Sequence, residues 1–445
     1  MSLVQQITPA IHKVRAQEIA NQFDLRALPA DFLANPYPVY AALRASQPIK
    51  RMPDGSYFLT RHADLVAVYR DAAAFSSDKK VEFGPKYNHP PFNLPPYAQS
   101  GQNSPLFEHH THSLVFSDPP LHTRVRKLIM GALTRRSIDA MAPGLELLVA
   151  SLLQRIEQQG GGDLIEDFAC AIPVEIIGNL LDVPHADRGP LRGWSLAILG
   201  ALEPSLSPEQ EALGHQSVQE FLLYLKDLVA QRRRKPGNPE QDVLTRLIQG
   251  EPHASNGAEV LSEVELLQNC VFLLNAGHET TTNLIGNALL TLQEHPQSRL
   301  QLLTDLAQAP TPSAQDAILD LAVDEFLRFE ASNQLGNRRA MKACSIAGVA
   351  LPEGALLTLC IGAANRDPVQ FDRPETLDLR RTDNRHLSFG FGVHQCAGLS
   401  LARLEGRIAM GRFLQKFPNY RLTQAPVRGG RARFRGFLKA PFAIA

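Results

Sequence analysis

The 445-residue chain lacks an excess of either charge: 45 Lys plus Arg balance 45 Asp plus Glu, for a formal net charge of zero. Nucleic-acid binders carry a strong basic surplus, so that class is excluded as the main reading. No apolar run approaches the ~18 residues that a membrane span needs. The first 25 residues are mixed and polar, without the charged-then-apolar layout of a secretion leader. A cytoplasmic protein without membrane attachment is therefore expected. There is no Gly-rich phosphate loop and no dinucleotide fingerprint at a strand–helix junction. The five cysteines, Cys170, Cys270, Cys344, Cys360 and Cys396, are odd in number, scattered and without Cys-x-x-Cys spacing. That excludes a disulfide framework or a zinc site, and leaves most of them as small core residues.

What is present is globular: 44% hydrophobic and 20% charged residues, enough for a large core. By length alone the chain would make roughly three average domains. Helical periodicity dominates from about residue 120 to 330, with strand-like pieces at Tyr57–Leu59 and Ala355–Leu359. The fold class is thus mostly α with a small β portion. Residues 81–120 hold 8 of the 32 prolines, with Phe83, Tyr87, Phe92, Tyr97 and Phe107 between them. Proline at that density opposes regular ladders, so an irregular substrate lid is predicted there. The run Arg232 to Pro239 reads as a solvated connection between helices.

Ser262 and Glu265 form a capping-box pattern, and nothing stops the helix they open until Pro296. Its middle reads Ala276-Gly277-His278-Glu279-Thr280-Thr281-Thr282-Asn283. Glycine, threonines and an acid are poor choices for the centre of a buried helix, and a rule broken inside a strong element marks function. The second unusual segment is Phe389-Gly390-Phe391-Gly392-Val393-His394-Gln395-Cys396-Ala397-Gly398, followed by a helical pattern to Phe413. Cys396 lies at the mouth of that helix, where the dipole and free N–H groups favour a thiolate. One thiolate with no second thiol nearby suits a single axial ligand on an iron already held by a macrocycle.

With these motifs the sequence resembles the cytochrome P450 family, the haem-thiolate monooxygenases of soluble bacterial type. Further matches are Glu325-Phe326-Leu327-Arg328, the segment Asp118 to Arg126, and Asn365-Arg366-Asp367-Pro368, in the family's order over roughly residues 30 to 420. The resemblance implies one domain over residues 1–445 with an N-terminal extension to about residue 30. Haem b (iron–protoporphyrin IX) is expected between the long central helix and the cysteine-loop helix, bound through Cys396. Cofactor contacts are implied for Ala276, Gly277, Phe389, Gly390 and Gly398. Thr280 and Glu279 are implied as the catalytic pair that supplies protons during O2 activation.

His122 and Arg126, one helical turn apart, want an anionic partner, which haem propionates would supply; the resemblance adds Arg338 and His394. The family's Glu325–Arg328 pair is structural, and where a third cation would align this chain has Thr376, with Arg373 or Arg381 as substitutes. Arg124, Lys127, Arg403 and Arg407 read equally well as a basic patch for an acidic electron donor and as plain solvated helix faces. His109, His110 and His112 are read as structural rather than metal-binding. No flavin or nicotinamide module is visible, so a ferredoxin or flavodoxin with its reductase is implied, acting on a monomer. Residues 81–120, Trp194–Leu206, Ala276–Thr280 and Ala331–Leu335 should surround a medium-sized, largely apolar substrate, with Asn333 offering it a hydrogen bond or pairing with backbone. Two rival readings are a peroxide-driven peroxygenase and a haem-based sensor or carrier; neither requires both Glu279 and Thr280.

Overall fold

One helix, Glu263–Glu294, organises the rest of the chain in the computed structural model, which describes residues 14–82, 104–239, 242–250 and 260–444. The capping box forms as its sequence predicts. Ser262 Oγ accepts from the Glu265 N–H at 3.3 Å, and the Glu265 carboxylate accepts from the Ser262 N–H at 2.8 Å. Its 32 residues span about 48 Å. Pro296, which has no N–H to continue the ladder, opens the next helix instead.

Helices Ala171–Leu180, Leu191–Gly200, Pro208–Arg234, Pro312–Phe329 and Leu399–Lys416 pack against this axis. Close approach depends on missing side chains. A Cβ on Gly277 would fall 2.3 Å from Ile177 Cδ1, and one on Gly406 of the last helix would meet Leu284 at 3.2 Å. Beside the helices lies a five-stranded sheet in the order Ile49–Arg51, Tyr57–Leu59, Leu356–Cys360, Leu335–Ala340, Phe75–Ser76. Tyr57–Leu59 runs parallel to Leu356–Cys360, and the other pairings are antiparallel. Both strand-like pieces expected from the sequence are in it. Among the described residues no helix is long and apolar enough to cross a membrane.

Two sequence expectations need correction. The irregular stretch assigned to 81–120 is helical over Pro105–His112: Ser104 caps the Phe107 N–H at 3.3 Å and Pro105 occupies the first turn, where its missing N–H costs nothing. Residues 83–103, with most of the expected lid, lie outside the described residues. The N-terminal extension packs on the body from residue 14 on, with Phe23 buried and its ring 5.0 Å from Phe58 and 5.8 Å from Phe32. Arg232, Arg233 and Arg234 are the last turn of helix Pro208–Arg234 rather than a loop, a position the helix dipole favours for cations.

The Glu325–Arg328 pair is fully buried and bidentate, at 2.8 Å through both Nε and Nη2. Arg381 is the third partner, 3.1 Å from Glu325 Oε2, while Thr376 contributes its backbone carbonyl to Arg328 at 3.1 Å. Arg328 also donates to the carbonyls of Asn365 and Pro374, and Asn365 holds the start of the cysteine loop through the Leu387 N–H and Ser388 Oγ. The network therefore braces the loop. Glu325→Ala leaves two buried guanidinium groups without their carboxylate, and a loss of about 3–5 kcal/mol in urea unfolding is expected. A loss under 1 kcal/mol would remove this account of the brace.

Candidate active site

The cysteine loop turns on two glycines with left-handed backbone, Gly390 (φ 66°) and Gly392 (φ 71°). At Gly392 a Cβ would lie 2.4 Å from the Tyr69 carbonyl oxygen, so no larger residue fits without moving the neighbouring helix. The loop closes with the Cys396 N–H donating to the Phe389 carbonyl at 2.8 Å, and Gly398 is the N-cap of helix Leu399–Lys416. Cys396 stands at the helix mouth, as expected. Its thiol is pushed up from the ordinary value by burial, against the opposing pull of the Gly398 N–H, Arg126 and Arg403. A bound cation reverses that balance, because a coordinating thiol is deprotonated outright. Cys170, Cys270 and Cys360 are raised further, to about 11, 12 and 12, by burial, and are inert core thiols.

On the central helix every residue from Leu266 to Leu292 is buried except Phe272, Leu273, Ala276, Gly277 and Thr280. These five recur every three to four residues and form one accessible face. Thr280 Oγ1 donates to the Ala276 carbonyl at 2.8 Å, the back-bond that lets a threonine sit inside a helix. Gly277 serves packing: the direction of its missing side chain is filled by Ile177, so Ala276, rather than Gly277, keeps the accessible face low.

His122, Arg126, Arg338 and His394 converge from three separate elements. The two imidazole rings are 4.2 Å apart, and both His122 nitrogens and His394 Nε2 are buried without a partner among the described residues. Among the described residues the Arg338 side chain donates to the Asn337 carbonyl, and it lies 5.1 Å over the Tyr69 ring. Burial, then Arg338, His122 and Arg126, push His394 down to about 2. Four mutually repelling donors with orphaned buried nitrogens fit a doubly anionic group, which is what haem propionates are. With a thiol ligand on one side and a shallow helix face on the other, the residues present fit haem.

Glu279 departs from its neighbour. It is buried away from the accessible face and held bidentate by Arg431, whose Nη1 lies 2.7 and 2.9 Å from its two oxygens. Burial and, to a lesser extent, Glu203 raise its carboxyl to about 7 against the pull of Arg431. Arg192, Leu196, His278, Asn283 and Arg431 share with it a partly enclosed cavity of about 20 Å³, room for one water. Arg431 went unnoticed in the sequence, although arginines at 428, 431, 433 and 435 in a Gly-rich stretch are a legible signal.

Other expected features resolve differently. Arg403 pairs with Asp324 at 2.7 Å, Arg407 with Asp320 and Asp316, and Arg124 with Glu265. The basic patch is thereby largely neutralised, because aspartates spaced by four on helix Pro312–Phe329 face arginines spaced by four on the cysteine helix. His109 bonds Gln268 and Asn275, and no group of three or more His, Cys, Asp or Glu that could hold a metal ion exists among the described residues. The backbone around Asn333 pairs with residues 433–435, and its Oδ1 is buried without a partner among the described residues.

A thiol in a glycine-turned loop, a shallow helix face and a basic cradle for two carboxylates define a haem-thiolate protein. Residues 201–425 match the cytochrome P450 family. The biotin biosynthesis cytochrome P450 of Bacillus subtilis is 33% identical over 394 residues, covering 88% of this chain and 92% of that one. The vitamin D(3) 25-hydroxylase of Pseudonocardia autotrophica is 34% identical over 396 residues, 88% and 89% of the two chains. Among solved structures, P450BioI in complex with a hexadec-9Z-enoic acid ligated acyl carrier protein has a TM-score of 0.82 and 31% identity, over 93% of this chain and all of that one. The chain belongs to the cytochrome P450 family. It is a haem-dependent monooxygenase, acting with O2 on a small organic molecule.

Proposed function

We propose that this enzyme hydroxylates a medium-sized, largely apolar organic molecule, as a cytoplasmic monomer holding haem b through Cys396 and drawing electrons from a ferredoxin or flavodoxin and its reductase. The observation that carries the reading is the single accessible face of Ala276 and Thr280 on an otherwise buried helix. Bound at Cys396, haem supplies dioxygen activation, which an electron-donating thiolate favours. The remaining work falls to side chains. His122, Arg126, Arg338 and His394 orient the cofactor through its carboxylates, and Ala276 leaves room above it. Thr280 carries an exchangeable proton at Oγ1 on the accessible face. Glu279, with a carboxyl near neutrality, holds the next proton and reloads from the adjoining cavity. Asn333 Oδ1 is the acceptor available to a hydroxyl on the substrate. A vitamin D3 hydroxylase among the relatives supports an apolar substrate of this size. The test is turnover under ¹⁸O2 with NADH, ferredoxin and reductase on ligands first selected by spectral titration. One labelled oxygen in the product is expected. Product formed only with added peroxide would favour the peroxygenase reading.

A further inference from the structure

The C-terminal hairpin, with strands Val427–Arg428 and Phe437–Lys439, reaches the central helix through its tip. A Cβ on Gly436 would lie 1.9 Å from Asn283 Oδ1, and one on Gly200 would lie 3.2 Å from Arg431 Nη2, so both glycines allow the tip to seat closely. One carboxylate, from the turn after helix Leu191–Gly200, clasps that tip. Glu203 accepts from the Ala432 N–H at 2.8 Å, the Arg433 N–H at 3.1 and 3.2 Å, and the Phe434 N–H at 3.4 Å. Two arginines return the contact, Arg431 to the Leu196 carbonyl at 2.8 Å and Arg433 to the Leu202 carbonyl at 2.9 Å. Arg431 is the first residue before the clasped N–H groups, so its direction follows from theirs.

We propose that Glu203 is a positioning residue for proton delivery: by binding the 432–434 backbone it fixes Arg431 in its bidentate grip on Glu279. This rests on the reading of Glu279 as a proton donor. The side chains that act on Glu279 are Arg431 from the hairpin, Glu203 from the turn after helix Leu191–Gly200 and Asn283 from its own helix, with Arg192 and His278 lining the same cavity. Of these, His278 is neutral, pushed down to about 3 by burial and by Arg192. Arg431 lowers the Glu279 carboxyl more than Glu203 raises it. The two possible roles of Glu203 therefore have opposite signs. If it is only a nearby negative charge, its removal lowers the pH at which Glu279 ionises. If it holds Arg431 in place, its removal raises that pH.

The readout is the fraction of NADH electrons recovered in product, measured against pH in the reconstituted holoenzyme. In wild type it should fall on the alkaline side as Glu279 ionises, and Glu279→Gln should abolish that limb. If the limb persists in Glu279→Gln, the underlying reading fails, whatever Glu203 does. With it abolished, Glu203→Ala should move the wild-type limb up by about one pH unit, the size an opposite charge exerts at short range. In an Arg431→Gln background Glu203→Ala should produce no further rise. Glu203→Gln, which keeps the volume but one acceptor oxygen, guards against misfolding and should give a smaller rise. A limb that stays in place or moves down in both Glu203 variants overturns the positioning role.

Discussion

Cys396→Ala should abolish the long-wavelength Soret band of the reduced carbon monoxide adduct and reduce turnover to background. The cause is specific to this thiol. Cys170, Cys270 and Cys360 are buried and held protonated, so alanine at any of them should leave the band unchanged. Haem should still associate with Cys396→Ala, because His122, Arg126, Arg338 and His394 would still be there to hold its carboxylates. The comparison is made by difference spectroscopy, with far-ultraviolet circular dichroism to show that the fold persists. A variant that keeps the band would mean that another residue supplies the axial ligand.

Thr280→Ala should separate electron consumption from product. Its hydroxyl sits on the accessible face of the central helix, and its removal deletes a proton carrier while costing only a back-bond to Ala276. Product is expected to fall on the order of 10²-fold, the usual loss when a positioned proton donor is removed. NADH oxidation should continue, with its electrons appearing as hydrogen peroxide. Thr280→Ser, which keeps the hydroxyl, should recover most of the product. Unchanged product in Thr280→Ala would remove Thr280 from the proton path. Glu279→Gln should resemble Thr280→Ala near pH 6, where the native carboxyl is protonated. The two should converge with wild type above pH 8, where the native carboxyl has lost its proton.

Much of this was readable in one dimension because the signals are local. A capping box, a proline stop and a glycine at a positive φ are properties of a few consecutive residues, so the central helix and the cysteine loop came out where the sequence placed them. The Glu325–Arg328 pair was legible for the same reason, three residues apart on one apolar face. What failed depended on partners distant in the chain. The prolines near residue 105 promised irregular structure, yet one proline with one serine cap starts a helix. The arginines of the cysteine helix left a docking patch open until aspartates some 80 residues earlier met them. Glu279 and Thr280 are adjacent in sequence, but a helix turns 100° per residue, so the different surroundings that each one faces are not legible from their adjacency.

The sequence by itself determined the family and the span of the central helix, and it singled out Cys396 as the proposed iron ligand and the charged residues proposed to meet the cofactor. Each follows from short-range stereochemistry or from residue types with few alternative uses. Only the tertiary structure decided that Arg381 completes the buried network, that Gly277 makes room for Ile177, and that Arg431 and Glu203 govern Glu279. Those contacts span 56 to 229 residues, and the Glu279 ion pair owes its character to a burial that no local pattern records. Chain separation hides such partners, because the energy of a buried charge depends on everything packed around it.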